Sequence, residues 1–100
     1  MLAKILIERQ FTPGNEKEIL SLLNKLRSLA MNQPGSISGL TMMVPDDTGN
    51  MMVISTWQDL DSWHSWQENM ERKNLEAMLD IYQERPTTYR EYVVGFGLLT

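Results

Sequence analysis

Alternating apolar and polar residues predict that the chain begins with a β-strand over Ala3 to Phe11. The same alternation predicts strands over Ser36 to Val44 and over Met51 to Trp57, with the turn-rich segment Pro45 to Asn50 joining them as a hairpin loop. A fourth strand is predicted over Thr87 to Leu98. The chain therefore supplies four candidate strands.

Two regions with apolar residues at helical spacing lie between these strands. The first has Asn15 as its predicted N-cap and Glu18 in the capping-box position, and it ends before Pro34. The second starts at the predicted cap Asp59 and continues, through a further helical stretch, to near Pro86. The order strand, helix, strand, strand, helix, strand predicts an α+β fold, ferredoxin-like βαββαβ with one antiparallel sheet.

Each predicted strand carries large apolar side chains on both faces. Adjacent pairs that place one side chain on each face are Ile5–Leu6, Met42–Met43 and Val93–Val94. Two helices cover only one face of a four-stranded sheet, so the second face needs another cover. The sequence therefore predicts a second copy of the chain on that face, as a homodimer.

A length of 100 residues suits a single domain over residues 1–100. The absence of cysteine and the presence of one histidine exclude thiolate chemistry and argue against a metal centre. A net charge of -4, from 9 Lys and Arg against 13 Asp and Glu, argues against nucleic-acid binding. We expect a soluble cytoplasmic protein without membrane contact, because neither a long apolar run nor a secretory signal pattern is present.

Five short motifs follow one another along nearly the whole chain. They are Thr12-Pro13-Gly14, Gln33-Pro34-Gly35, Val53-Ile54-Ser55-Thr56-Trp57, Leu60-Asp61-Ser62-Trp63-His64-Ser65-Trp66 and Pro86-Thr87-Thr88-Tyr89-Arg90-Glu91-Tyr92. In this order they resemble the antibiotic biosynthesis monooxygenase (ABM) domain family. The resemblance implies a ferredoxin-like protomer whose sheet pairs face to face with a second one, which makes a dimeric α+β barrel.

Members of that family with known chemistry include cofactor-independent monooxygenases of quinols, anthrones and related phenols, and haem-degrading monooxygenases. Many other members have no established activity. The haem-degrading branch combines an Asn on the first strand, a Trp after the third strand and a His further on. Here Trp66 matches the Trp, but Ile7 or Glu8 replaces the Asn and Glu76 replaces the His. The resemblance therefore implies neither haem nor any other cofactor.

Arg9 is a candidate catalytic residue. It lies in line with Ile5 and Ile7, so it faces either the helices or the space between the sheet and a partner. A buried guanidinium suits a phenolate or a carboxylate, which would make Arg9 an electrostatic stabiliser. The simpler alternative is a salt bridge to a strand neighbour such as Glu91, or exposure at the end of the strand.

Three tryptophans are candidate substrate-binding residues. Trp57, Trp63 and Trp66 are close in sequence, and their rings could clamp a flat aromatic molecule. Core packing is the alternative, which we favour for Trp57 and Trp63. For Trp66 the resemblance implies a place at the cavity.

Four methionines bracket the predicted hairpin, at positions 42, 43, 51 and 52. Their flexible thioethers suit a pocket or a dimer contact. Plain core packing is the alternative, and we favour it.

Histidine has an ordinary pKa near neutrality, so His64 is the default general base. On a helical wheel it projects toward Asp61, Glu68 and Glu71, which is typical of a solvated face with Asp61 and Glu68 as partners. Tyr92 on the last strand is a candidate for orienting a substrate oxygen, with core packing as the alternative.

Three functional hypotheses follow. The first is a cofactor-independent monooxygenase acting on a flat phenolic or quinol-type molecule. In it Arg9 stabilises an anion, Trp66 forms a stacking wall, and His64 or a water molecule takes the proton. The second is a non-enzymatic dimeric module of the same fold that binds a small aromatic molecule or acts as an accessory protein. A third possibility is an acidic protein–protein adaptor that uses the sheet face.

Overall fold

A computed structural model describes residues 1–95 and contains seven regular elements in that part of the chain. They are β1 (Ala3–Gln10), α1 (Glu16–Met31), β2 (Ser36–Val44), β3 (Asp47–Trp57), α2 (Leu60–Gln67), α3 (Met70–Asp80) and β4 (Thr88–Val93). The strands form one antiparallel sheet in the order β2-β3-β1-β4. This topology confirms the predicted ferredoxin-like α+β fold.

Two strand boundaries differ from the predictions by more than one residue. β3 begins at Asp47, because Asp47 pairs with Val44 and leaves only Pro45 and Asp46 in the hairpin turn. The predicted loop over Pro45 to Asn50 is therefore mostly strand. β4 ends at Val93, and residues 96–98 of the predicted last strand lie outside the described residues.

The predicted second helix is divided into α2 and α3. The division occurs because Asn69 takes an extended conformation and its side chain accepts a hydrogen bond from the backbone N–H of Arg72 at 3.0 Å. An asparagine in this role caps a new helix and ends the preceding one. Within residues 1–95, no helix combines the length and the hydropathy that crossing a membrane requires.

The helix caps follow the sequence only in part. Asp59 caps α2 as predicted, because its Oδ1 accepts a hydrogen bond from the backbone N–H of Ser62 at 2.8 Å. Asn15 precedes α1, but its side chain makes no cap hydrogen bond, so the predicted capping box is wrong. Glu16 accepts a hydrogen bond from the backbone N–H of Gly14 at 3.1 Å instead. The positive φ of 109° at Gly14 favours glycine in this turn.

The core lies between the helices and one face of the sheet. Alternate residues of β1 point into it, and the antiparallel register places Trp57 of β3 opposite Ala3. Both tryptophans of α2 pack on this surface. The buried members of this cluster are Ala3, Ile5, Ile7, Trp57, Trp63 and Trp66. The end of β3 and α2, which hold two of the five motifs of the family resemblance, therefore share the centre of the core with β1.

The other face of the sheet carries no helix in the described chain, and we call it the helix-free face. The strand register places on it the apolar side chains of Leu6, Leu40, Met42, Met52, Ile54 and Tyr92. Leu40 is 58% exposed and Tyr92 is 48% exposed. The strands are thus apolar on both faces, as the alternation predicts, and one of these faces is uncovered in a single chain.

Candidate active site

A cavity of about 320 Å³ lies between α1 and the helix-facing side of the sheet, and we call it the helix-side cavity. Aliphatic residues of α1 form one wall, and residues of β2 and β3 form the opposite wall. Among the lining residues are Leu23, Leu26, Ala30, Thr41, Met43, Met51, Val53 and Ser55. A mostly apolar space of this size suits a small flat molecule.

Trp63 and Trp66 of α2 form the aromatic part of the cavity wall. Trp57 supports both rings from behind. Its ring stacks on that of Trp66 with centroids 6.5 Å apart and lies tilted against that of Trp63 at 6.0 Å. Trp57 is 1% exposed and is not among the lining residues, so its place is in the core.

Arg9 lies on the helix-facing side of β1 and is only 4% exposed. Its guanidinium donates two hydrogen bonds to the carboxylate of Glu76 on α3, with distances of 2.5 Å from Nη1 and 2.8 Å from Nη2. Nη1 also donates to Thr87 Oγ1 at 3.2 Å and to Gln83 Oε1 at 3.4 Å. The predicted pairing of Arg9 with Glu91 is wrong, because the counter-ion is Glu76 of α3 and not a residue of a neighbouring strand.

A second buried guanidinium, that of Arg72, shares the same carboxylate. Arg72 Nη2 lies 3.5 Å from Glu76 Oε2 and donates a hydrogen bond to the Tyr89 hydroxyl at 2.7 Å. That hydroxyl donates to Glu76 Oε2 at 3.3 Å. The guanidinium carbon lies 5.8 Å from the ring centroid of Trp63. We call Arg9, Arg72, Glu76 and Tyr89 the arginine cluster; both arginines and Glu76 line the helix-side cavity.

The contacts within the arginine cluster set the charge of its members. Burial alone raises the pKa of Glu76, but the hydrogen bonds and charge of Arg9, with the charge of Arg72, outweigh burial and lower it. Burial lowers the pKa of Arg9, but the contacts with Glu76 reverse this and raise it. Burial and the charge of Glu76 raise the pKa of Tyr89. At neutral pH one carboxylate therefore faces two guanidinium groups.

His64 lies outside the helix-side cavity, on the outer side of α2, with its side chain 50% exposed. Its Nε2 is 3.0 Å from Glu91 Oε2, which also accepts a hydrogen bond from the indole N–H of Trp63 at 2.9 Å. The predicted partners Asp61 and Glu68 are wrong, because β4 brings Glu91 to this side chain. His64 is not placed to take a proton from a ligand in the cavity.

Tyr92 and the four hairpin methionines are divided between the two faces of the sheet. Tyr92 lies on the helix-free face, so it is outside the helix-side cavity and outside the core of the described chain. Met43 and Met51 line the cavity, whereas their neighbours Met42 and Met52 lie on the helix-free face. The interpretation of the methionines as plain core is wrong for Met42 and Met43, which are 41% and 52% exposed. Met51 is half-buried and packs against the buried cluster of Phe11, Ile19 and Leu79.

The sequence model of the family described as antibiotic biosynthesis monooxygenase matches residues 3–84. This stretch holds both tryptophans of the cavity wall and three of the four members of the arginine cluster. The chain belongs to the ABM family. A search of curated proteins finds no significant match.

Solved structures share the fold over nearly the whole chain. A conserved protein of Methanosarcina mazei Go1 superposes with a TM-score of 0.87 at 15% identity, over 95% of this chain and 94% of that one. A protein described as an antibiotic biosynthesis monooxygenase gives 0.85 at 17% identity, over 95% and 99%. SnoaB, a cofactor-independent oxygenase from Streptomyces nogalater, gives 0.81 at 14% identity, over 98% of both chains. At these identities the likeness shows the ABM fold.

The residues of this ABM protein do not fit haem. In the haem-degrading branch a histidine is implied where this chain has Glu76, and the Glu76 carboxylate is held by both guanidinium groups of the arginine cluster. A carboxylate tied in this way is not free to bind iron. Within the described residues, no group of three or more His, Asp or Glu side chains is arranged to hold a metal ion.

Sequence reasoning missed Arg72, Glu76 and Tyr89 as site residues. The one local signal is the spacing of Arg72 and Glu76, which is i,i+4 on a helix and favours an ion pair. That spacing is common on exposed helix surfaces, so it did not indicate a buried cluster. Tyr89 shares the helix-facing side with Ile7, its partner in the antiparallel register.

Proposed function

We propose that this ABM protein is a cofactor-independent monooxygenase of a flat phenolic or quinol-type molecule bound in the helix-side cavity. The observation that carries the proposal is the placement of a buried, positively charged arginine cluster beside an apolar cavity walled by Trp63 and Trp66. Such a site can hold an aromatic ring and stabilise negative charge on its oxygen. Membership of the ABM family supports an oxygenase activity.

The proposed reaction draws its electrons from the substrate. Loss of a proton from the bound phenol or anthrone gives an electron-rich anion, which transfers electrons to dioxygen. For an activated CH₂ group, oxidation to C=O consumes one O₂ and releases one H₂O, so no external reductant is needed. Arg9 and Arg72 stabilise the anion, and the apolar walls limit its contact with water once the proton has left.

Solvent water is the proposed proton acceptor. Glu76 is the carboxylate among the cavity-lining residues, but its lowered pKa makes it a weak base. We assign Trp66 the role of stacking wall and Trp63 that of a second wall. The outward position of His64 leaves it without a role in proton transfer.

We also propose that two chains pair through the helix-free face as a homodimer. The support is the exposure of large apolar side chains on that face, together with the two-sided apolar pattern of the strands. A second copy of the same face is a self-complementary cover for it.

A non-enzymatic binding module is the second candidate function. The observation that favours it concerns the cavity-lining residues within residues 1–95. They include no histidine, and their one carboxylate is tied to two guanidinium groups. Such a module would keep the aromatic cavity and bind the same class of molecule without turnover.

Oxygen uptake separates these two functions. We expect the purified protein to consume oxygen with at least one anthrone or quinol in a panel, in the presence of a metal chelator. We expect Trp66→Phe to lower kcat/KM by roughly tenfold through lost stacking area. The matched control is Tyr82→Leu, which removes an aromatic ring at a position that does not line the cavity and should change kcat/KM by less than about twofold. Tryptophan quenching by these compounds without oxygen uptake would favour the binding module.

A further inference from the structure

We propose that the helix-side cavity selects its ligand as an anion: a planar aromatic molecule bearing one ionised oxygen. This inference rests on the proposed function for the choice of cavity and deepens it by naming the charge state of the ligand. It does not depend on whether the ligand reacts with oxygen.

The cavity carries a charge opposite to that of the whole protein. Its charged lining residues are Arg9, Arg27, Arg72 and Glu76, which give a formal charge of +2. The chain as a whole has a net charge of -4. The lining of this cavity is therefore basic, although the protein as a whole is acidic.

Burial strengthens the field of the arginine cluster. Arg9 and Arg72 are each less than a tenth exposed, and one carboxylate serves both. Within the described chain the Nε atoms of both arginines are buried and have no hydrogen-bond partner. One positive charge thus lacks a counter-ion in a region of low dielectric, where an anionic ligand gains more than it would in water.

Arg27 adds positive charge on the other side of the cavity. It lies on α1 and donates a hydrogen bond from Nη1 to the carbonyl oxygen of Gly39 on β2 at 3.3 Å. Both residues line the cavity, so the guanidinium spans from the helix to the sheet there. Its exposure makes it a site for substitution that leaves the core intact.

The anion preference is local. An adjoining groove of about 580 Å³ lies between the start of α1 and the hairpin, and its charged lining residues are Glu16, Asp46, Asp47 and Glu84. The groove shares Leu20, Leu23, Met43 and Met51 with the helix-side cavity. An anion is repelled by the acidic groove and attracted by the basic cavity, so the two neighbouring spaces discriminate between charge states.

Matched aromatic probes test the inference by isothermal titration calorimetry at neutral pH. Naphthoate and naphthamide have nearly the same shape and differ in charge, and the corresponding anthracene pair tests a longer ring system. We expect each carboxylate to bind roughly tenfold or more tightly than its amide, with the difference shrinking as salt is added. Equal binding of carboxylate and amide, or binding of none of the four probes, would overturn the inference.

Naphthol distinguishes the two sources of the ionised oxygen. If the cavity takes phenolates, naphthol should release close to one proton on binding, measured by comparing buffers of different ionisation enthalpy. Proton release by naphthol would show that the cavity binds phenolates. Binding of the carboxylates but not of naphthol would show that it binds carboxylates. Both outcomes support an anionic ligand. Naphthol that binds as tightly as naphthoate without releasing a proton would overturn the inference.

A pair of variants locates the charge. We expect Arg27→Gln to weaken naphthoate binding by roughly fivefold and to leave naphthamide unchanged. Lys25→Gln is the matched control, because it removes the same charge from α1 at a position that does not line the cavity. Equal weakening by both variants would overturn the assignment of this charge to the cavity.

The two proposals fail separately. Oxygen uptake without any preference for anionic probes would leave the oxygenase function in place and refute the anion selection. Selective anion binding without oxygen uptake would refute the oxygenase function and leave the anion selection in place.

Discussion

Replacement of Glu76 with alanine is expected to lower the free energy of unfolding by about 3 kcal/mol, because it removes the counter-ion shared by two buried guanidinium groups. Arg9 and Arg72 are each less than a tenth exposed, so water replaces the lost carboxylate poorly. Urea unfolding followed by tryptophan fluorescence measures the change.

A surface carboxylate provides the control for this prediction. Glu68 pairs with Lys73 at 2.9 Å, but the two side chains are 77% and 47% exposed. Glu68→Ala should change the free energy of unfolding by less than about 0.5 kcal/mol. Equal losses in the two alanine variants would contradict the description of the arginine cluster as a tightly coupled buried group.

Glu76 also makes the free energy of unfolding depend on pH in the acid range. The contacts with Arg9 and Arg72 lower the pKa of Glu76 in the folded chain, relative to an ordinary value of 4.5. Its contribution to stability is therefore complete above that value and is lost as the pH falls through it toward the lower, folded pKa. Glu76→Gln should reduce the change in unfolding free energy over this pH range, measured by urea unfolding at several pH values. An unchanged pH dependence would show that other carboxylates produce it.

Ile54→Lys should raise the dissociation constant of the proposed homodimer by roughly a hundredfold or more, because it places a charge in an apolar interface. Ile54 of β3 is flanked in the register by Leu6 of β1 and Leu40 of β2, so it lies at the centre of the helix-free face. In a symmetric dimer each substitution places two charges in one interface. Light scattering over a dilution series measures the dissociation constant.

The control for Ile54→Lys is Ile81→Lys. Ile81 follows α3 and is 78% exposed, away from the helix-free face, so a lysine there should leave the dimer intact. Circular dichroism should show the same secondary structure in both variants. A wild-type protein that stays monomeric at high concentration would contradict the homodimer.

The sequence predicted the fold well because the signals that define it are local. Alternation in β1 correctly placed Ile5 and Ile7 together on one face of the strand, and Asp59 correctly marked the start of α2. The hairpin was mispredicted because the polar residues after Pro45 look like a loop, whereas the ladder between β2 and β3 continues to Asp47. Cross-strand pairing decided this boundary, and pairing is not a local property.

The arginine cluster could not be predicted because its partners are distant in sequence. The alternation of β1 showed that Arg9 faces inward or toward a partner, but not that α3 would bring Glu76 across a separation of 67 residues. The helical wheel correctly indicated an exposed His64 but not the approach of Glu91 from β4. The direction of a side chain follows from local periodicity, whereas its partner depends on how elements pack.

Methyl-labelled methionines test most directly whether the ligand occupies the helix-side cavity. Met43 pairs with Met51 on the cavity side, and Met42 pairs with Met52 on the helix-free face, so one hairpin carries a reporter pair for each face. NMR titration with naphthoate should shift the methyl signals of Met43 and Met51 and leave those of Met42 and Met52 unchanged. Shifts confined to Met42 and Met52 would contradict the account, because they would place the ligand on the opposite face of the sheet.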